Sequence, residues 1–313
     1  LYTSIGEIPA REYVVTVGTF DGMHRGHRHL LERSSERASA LELPVLVITF
    51  DPIPAQVLRP ESFDGRLTTF EQKIRLIRDI GDPTVAVLPF SREFACTTAE
   101  EFFGQLTNAT TVRELWVGEE FALGKDRLGT IDRLIELGKE IGFAVVALDR
   151  VSVDGEIVSS TRIRNLIRQG DVSSANLLLG RRFSVRGEVC EGARLGRTIG
   201  FPTANVLPPL DLVMVADGIY ASLAYLGTGE SALPAMTYIG TRPALNPGSR
   251  VIETHLFDFD RDIYGEILTT EFVQHLRGDS NFESVDALIA QMKVDELNAR
   301  SILAAHPAML GQA

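Results

Sequence analysis

Apolar residues gather in short unbroken runs along the first half of the chain. Tyr13–Val17, Pro44–Phe50, Thr84–Leu88, Leu115–Val117 and Ala144–Leu148 are rich in Val, Ile and Leu and predict buried strands. Between them, apolar positions near His24–Leu41, Phe70–Ile80, Ala99–Leu106 and Thr130–Ile141 recur at helical spacing. Strands that are apolar on both faces and alternate with helices predict a parallel sheet covered on both sides, a Rossmann-like α/β domain. Ligands of such sheets sit beyond the carboxyl ends of the strands.

The texture changes near residue 181. Phe183–Val189, Ile219–Leu226, Ala235–Ile239, Val251–Phe257 and Glu266–Leu276 predict strands with turns between them, several alternating in polarity. Strands without intervening helices predict an antiparallel barrel. Val285, Leu288, Ile289 and Met292 form one stripe of a closing helix, read as core packing. The expected domains are residues 1–180 and 181–313, joined through Gln169–Arg182.

Composition narrows the partners. The 313 residues carry 42 acidic and 31 basic side chains, a net charge of −11, which argues against a general grip on nucleic acid. A local pocket can still be positive. No apolar run reaches the length of a membrane span. Cys96 and Cys190 lack metal-ligand spacing and are expected to be reduced thiols of a cytoplasmic protein, a monomer or transient oligomer. The opening, LYTSIGEIPAREY, has no secretory pattern and no initiating Met, so the sequence is expected to begin inside a longer gene product.

The densest chemistry lies at Val17–Leu30, VGTFDGMHRGHRHL. A strand ends, a glycine loop follows, and His24 and His27 open a helix. Imidazoles three residues apart on a first turn share a side, where unpartnered backbone N–H groups bind phosphate. No nucleophile stands among them. A second cluster, Val158–Arg164 (VSSTRIR), puts Ser159, Ser160 and Thr161 at a helix start with Arg162 and Arg164 behind. Plain capping is one reading, and a polyphosphate clamp is the other. In the second half, Gly196–Asn205 (GRTIGFPTAN) brings Thr203 and Asn205 to one side of an extended chain, a pair able to ligate a hard cation. Gly192, Gly196 and Gly200 would let a flap close over phosphates. Glu253 by itself reads as the cross-strand partner of a cation such as Arg250.

Two strings fail on inspection. Gly118–Lys125 has the wrong glycine spacing for a phosphate loop, with Asp126 where Ser or Thr is required. Asp258, Asp260 and Asp262 imitate a calcium loop, but Ile263 and Thr269 stand where Gly and Glu belong, so these acids are read as solvating a turn. His29, His255, His275 and His306 are read as packed or solvated.

The His-x-x-His segment paired with Ser-Ser-Thr-x-Ile-Arg resembles the nucleotidyltransferase superfamily. Gly18-Thr-Phe-Asp-Gly22 before His24-Arg-Gly-His27 is similar to its prokaryotic FAD synthetase branch. The resemblance implies transfer of AMP from ATP to FMN, with His24 and His27 stabilising the phosphates as pyrophosphate leaves. It implies ATP contacts from Gly18, Thr19, Phe20, Asp21 and Gly26, and from Ser160, Thr161 and Arg164. Glu120 and Phe121 would lie by the flavin. Ile53, Glu120 and Leu123 depart from the branch, where His, Asn or Asp, and Phe are usual.

GRTIGFPTAN, with Asp217-Gly-Ile-Tyr220, Tyr238-Ile-Gly240, Pro243, Glu253–Gly265 and Phe282-Glu-Ser284, resembles the riboflavin kinases over nearly all of the second half. This implies Mg²⁺ and ATP phosphates at Thr203 and Asn205, with Gly196 and Gly200 in the ATP flap. It implies Glu253 as the base for the ribityl hydroxyl, and Arg277 near the flavin. Together the resemblances imply a bifunctional riboflavin kinase and FAD synthetase acting on riboflavin, FMN and ATP. The alternatives are an active kinase beside a weak or silent adenylyltransferase, and a non-enzymatic flavin carrier.

Overall fold

The computed structural model describes residues 1–192, 195–227, 229, 231–241 and 250–306, with the side chains of Leu195 and Thr241 left out. Pro243 lies outside the described residues. The chain divides into two compact units, Leu1–Ser160 and Thr161–Ala313.

The first unit runs β1 (Glu12–Val17), α1 (Arg25–Ala40), β2 (Val45–Phe50), α2 (Pro54–Leu58), α3 (Phe70–Arg78), β3 (Thr84–Leu88), α4 (Ala99–Ala109), β4 (Thr111–Gly118), α5 (Ile131–Ile141) and β5 (Ala144–Leu148), then a small hairpin, β6 (Ser152–Val153) and β7 (Glu156–Ile157). The five main strands form one parallel sheet in the order β3-β2-β1-β4-β5. Two apolar clusters cover its faces. One gathers Val15, Val17, Ile48, Phe102, Phe103 and Leu115; the other gathers Val14, Val47, Leu30, Leu31, Ile77 and Trp116. β1 is therefore apolar on both sides, as the unbroken runs require. Helix starts are fixed locally. Thr69 and Gln72 make a capping box at α3, Thr98 and Glu101 another at α4, and Thr130 caps α5.

The second unit runs α6 (Ser160–Gln169, straddling the boundary), α7 (Val172–Leu179), β8 (Phe183–Cys190), α8 (Leu195–Thr198), β9 (Ala204–Val206), β10 (Gly218–Leu226), β11 (Leu233–Thr241), β12 (Arg250–Leu256), β13 (Ile267–Arg277) and α9 (Val285–Ala305). Six strands close a barrel in the order β10-β11-β12-β9-β8-β13 with antiparallel pairs. β9 is the strand that the periodicity does not reveal. Its three residues are too few to alternate visibly, yet they close the gap between β8 and β12. Ser284 caps α9, whose Ala299 and Leu303 pack with Phe201, Leu223, Met236 and Phe257. Asp258 is more than a solvated turn acid. Both its oxygens accept from Arg300 on α9, at 2.8 and 2.9 Å.

Candidate functional sites

The first site is built where β1 ends. Gly18 N–H donates to the Ile48 carbonyl (3.0 Å), which continues the ladder by one bond. The chain then leaves the sheet in a tight turn with positive φ at Phe20 (51°), Gly22 (81°) and Met23 (39°), closed by Met23 N–H on the Phe20 carbonyl. Gly22 is required twice over: its φ is left-handed, and a Cβ would come within 2.7 Å of Leu67.

His24 is the N-cap of α1. Its Nδ1 accepts from His27 N–H at 3.3 Å, so that nitrogen is unprotonated and the ring is the Nε2–H tautomer when neutral. The two imidazoles stack, with centroids 3.6 Å apart and planes 14° apart. Phe20 meets His27 edge-on at 5.3 Å. Burial, and then His24, hold His27 well below the ordinary imidazole range. His27 Nδ1 is buried with no hydrogen-bond partner in the protein, although part of the residue reaches the surface. A capped helix N-terminus with two stacked imidazoles, of which His27 is held neutral and keeps an unspent nitrogen, is chemically fit to receive phosphate oxygens.

Ser160 Oγ–H donates to the Asp21 carbonyl at 2.9 Å, which ties the second motif to the first. Thr161 and Arg164 follow on α6 and belong to the second unit. Glu120 is exposed, and its carboxylate pairs with Arg150, which also binds Glu119 at 2.9 Å. The charge that departs from the branch pattern is thus met by a cation. Phe121 and Leu123 pack against the core cluster around Phe102. Ile53 is buried as the N-cap residue of α2.

Sequence reasoning missed the segment that braces this turn. Leu67 N–H donates to Asp21 Oδ1 (2.8 Å), Gly22 N–H donates to Thr68 Oγ1 (3.3 Å), and Arg66 pairs with Asp51 (3.2 Å). Residues 64–69 carry no periodicity and no motif, and only their contacts reveal the role.

The second site lies on the barrel. Asn205 on β9 faces Glu253 on β12, and Glu253 faces Tyr238 on β11. Glu253 is 6% exposed, and Thr203 Oγ–H reaches its Oε2 at 3.5 Å, the outer limit of a hydrogen bond. Gly192 lies against the Asn205 amide so closely that a Cβ there would come within 2.6 Å of it. The Gly196 carbonyl accepts from Ile199 and Phe201, which folds the glycine string into a turn. His255 Nδ1 bonds the Pro202 carbonyl at 2.7 Å and so holds the residue before Thr203. A hydroxyl just before β9, an amide oxygen on β9 and a carboxylate on the adjacent β12 form a donor set suited to a hard cation. Among the described residues no group of three His, Cys, Asp or Glu side chains forms a cage of its own.

Around this triad, Arg250 takes Asp217 as its partner. Tyr238 donates to Asp279 Oδ2 at 3.2 Å; burial first and Asp279 second push its phenol up to about 12. Arg277 binds Asp295 through Nε and Nη2, with Nη1 on the Gly278 carbonyl and Ser280. Inside the barrel, Ser222, Thr237, Thr254 and Thr270 link hydroxyls across four strands at 2.7, 3.1 and 3.2 Å. That polar ladder also escaped the sequence reading.

Two family models match the chain: FAD synthetase over residues 7–162 and riboflavin kinase over residues 179–303. The bifunctional riboflavin kinase/FMN adenylyltransferase of Escherichia coli strain K12 is 37% identical over 95% of this chain and 95% of its own. The enzyme of that name from Pseudomonas fluorescens is 37% identical over 94% of each. The solved structure of a macrolide-efflux protein from Streptococcus pneumoniae matches with a TM-score of 0.87 at 32% identity, over 95% of this chain and 97% of that one. Among the described residues no helix is long and apolar enough to cross a membrane.

Proposed function

The chain belongs to the family of bifunctional riboflavin kinase/FMN adenylyltransferases, and we propose that the two sites described above divide its two reactions. ATP phosphorylates riboflavin to FMN, and a second ATP adenylylates FMN to FAD with release of pyrophosphate. The functional boundary is proposed between residues 180 and 181, a reading supported by the kinase family match beginning at residue 179.

The observation that carries the division is the pair of built sites, one in each unit, with unlike chemistry. Adenylyl transfer needs no protein nucleophile, because an FMN phosphate oxygen attacks the α-phosphorus of ATP as the bond to the β-phosphate breaks. What it needs is alignment and donors for the charge that gathers on the leaving pyrophosphate. The stacked His24 and His27, at the head of α1, supply N–H groups, with Ser160 bracing the turn through Asp21. Gly18, Thr19, Phe20, Asp21 and Gly26 form the surrounding ATP cradle in this reading. Glu120 and Phe121 flank the flavin, and Arg150 keeps the carboxylate from repelling its phosphate.

Phosphorylation of riboflavin does need a base. Glu253 removes the ribityl hydroxyl proton as that oxygen attacks the γ-phosphorus and ADP departs. Thr203 and Asn205 bind the ATP phosphates and would hold Mg²⁺, which would neutralise phosphate oxygens when bound. Gly196 and Gly200 shape the loop over them. Arg277, gripped by Asp295, orders the loop that borders the flavin. The free thiols of Cys96 and Cys190 support a cytoplasmic home.

Full-length protein given riboflavin, Mg²⁺ and ATP, with products separated by chromatography, tests the division. His27→Ala is expected to stop at FMN. Thr203→Ala is expected to lose FMN formation yet convert added FMN to FAD. Loss of FMN formation in His27→Ala, or of FAD formation from added FMN in Thr203→Ala, with the fold intact, would disprove separate sites.

A further inference from the structure

Lys73 is an unexpected charge in the first unit. It sits on α3, only 2% exposed, in a place where an ammonium is costly unless it is paired. Its Nζ donates to the Phe50 carbonyl at 2.7 Å, the last residue of β2. The charged groups that face it are Asp51 from the segment after β2, Asp21 from the β1–α1 turn, and Arg66 from the segment before α3. The same three segments are cross-tied around it. Arg66 pairs with Asp51, Leu67 N–H holds the Asp21 carboxylate, and Thr68 holds Gly22. Two carboxylates converge with two cations where the phosphate-binding turn meets the end of the neighbouring strand.

We propose that Lys73 is a positioning residue for adenylyl transfer: its ammonium fixes the end of β2 and balances Asp21 and Asp51, so that the β1–α1 turn keeps the form that receives ATP. This rests on reading that turn as the adenylylation site. Lys73 acts through Phe50, Asp21 and Asp51 and supplies no proton to the reaction. Burial outweighs the two carboxylates and brings the amine down to about 8, so its charge is lost within an accessible range. Once neutral, Lys73 leaves Arg66 as the remaining cation of the group, and Asp21 repels the incoming polyphosphate. The phosphate monoester of FMN completes its ionisation near ~6, too low to account for a change around 8.

The test uses the full chain, in which kinase turnover is an internal control. kcat/KM for ATP is measured from pH 6.5 to 9.5 in FAD formation from FMN, and in FMN formation from riboflavin. Wild-type FAD formation is expected to fall with a midpoint near 8, a fall the kinase does not share. Lys73→Met should lower FAD formation at pH 7 tenfold or more and erase the fall. Lys73→Arg should restore part of the rate and move the fall upward by at least one pH unit. A flat wild-type profile between pH 7 and 9 overturns the proposal even where a variant fails to fold. An unmoved midpoint in Lys73→Arg overturns it as well. If His27→Ala keeps forming FAD, it is the assignment of the turn that fails, a separate result.

Discussion

Glu253→Gln separates chemistry from architecture by magnitude. The replacement keeps the side chain's size and one carbonyl oxygen, and it removes the basic site. If Glu253 takes the ribityl proton, kcat for FMN formation should drop about 10²- to 10⁴-fold, the range for losing a general base, or roughly 3–5 kcal/mol in the barrier. If Glu253 only braces strands, the exchange touches contacts such as that from Thr203, which is already 3.5 Å long. A neutral amide can still accept that bond, so the cost is about 1 kcal/mol or less. A unit of this size then melts roughly 2–4 °C lower at most.

The assay follows riboflavin, FMN and FAD at saturating ATP and riboflavin, then FAD formation from added FMN by the same preparation. The expected result is a hundredfold or greater loss of FMN formation, a KM for ATP within a few-fold, and unchanged FAD formation from FMN. A variant that phosphorylates riboflavin within tenfold of wild type would refute the base assignment and leave Glu253 as a cross-strand residue between Tyr238 and Asn205.

Two further predictions concern stability. His27 is held neutral in the fold, well below its ordinary 6.5, while the unfolded chain binds a proton there as pH falls. The unfolded state therefore carries more protons below pH 6.5, and stability declines by at most about 1.4 kcal/mol per pH unit from this group. Urea titrations at pH 7 and pH 5 should show a steeper loss in wild type than in His27→Asn, and equal losses would contradict a buried neutral ring. Asp295, whose carboxylate side chain is 3% exposed, accepts from Arg277 and from Gln291 (2.8 Å), so Asp295→Ala strands a guanidinium against the middle of α9. The expected cost is about 3–5 kcal/mol, a melting drop of roughly 6–20 °C, with FMN formation lost on heating before FAD formation; a drop under 3 °C speaks against a buried pair.

The parallel sheet and the barrel were legible because their signals are local. An apolar run such as Leu46–Ile48 is contained within one element. The histidine turn and the Thr203–Asn205 string were legible for the same reason, since each is one continuous loop. Their supports come from elsewhere in the chain. Whether Glu120 is repulsive depends on Arg150, thirty residues away. The place of Arg277, which reads as turn chemistry, depends on Asp295 in the middle of α9. The hydroxyls of Ser222, Thr237, Thr254 and Thr270 stand on separate strands, and barrel closure brings them into one buried ladder.

Lys73 is different, because the sequence did carry its signal. Phe70, Ile74 and Ile77 stand at i, i+4 and i+7 of α3, and Lys73 is the i+3 member of that same stripe. A lysine on the buried face of an amphipathic helix either snorkels out or meets an acceptor inside. A short helix next to a sheet's carboxyl end offers the second course, through a strand-terminal carbonyl such as that of Phe50. A polar residue that breaks an apolar stripe beside a ligand-bearing edge is therefore worth reading as part of the site's frame, because burying its charge is favourable only where opposite charges already converge.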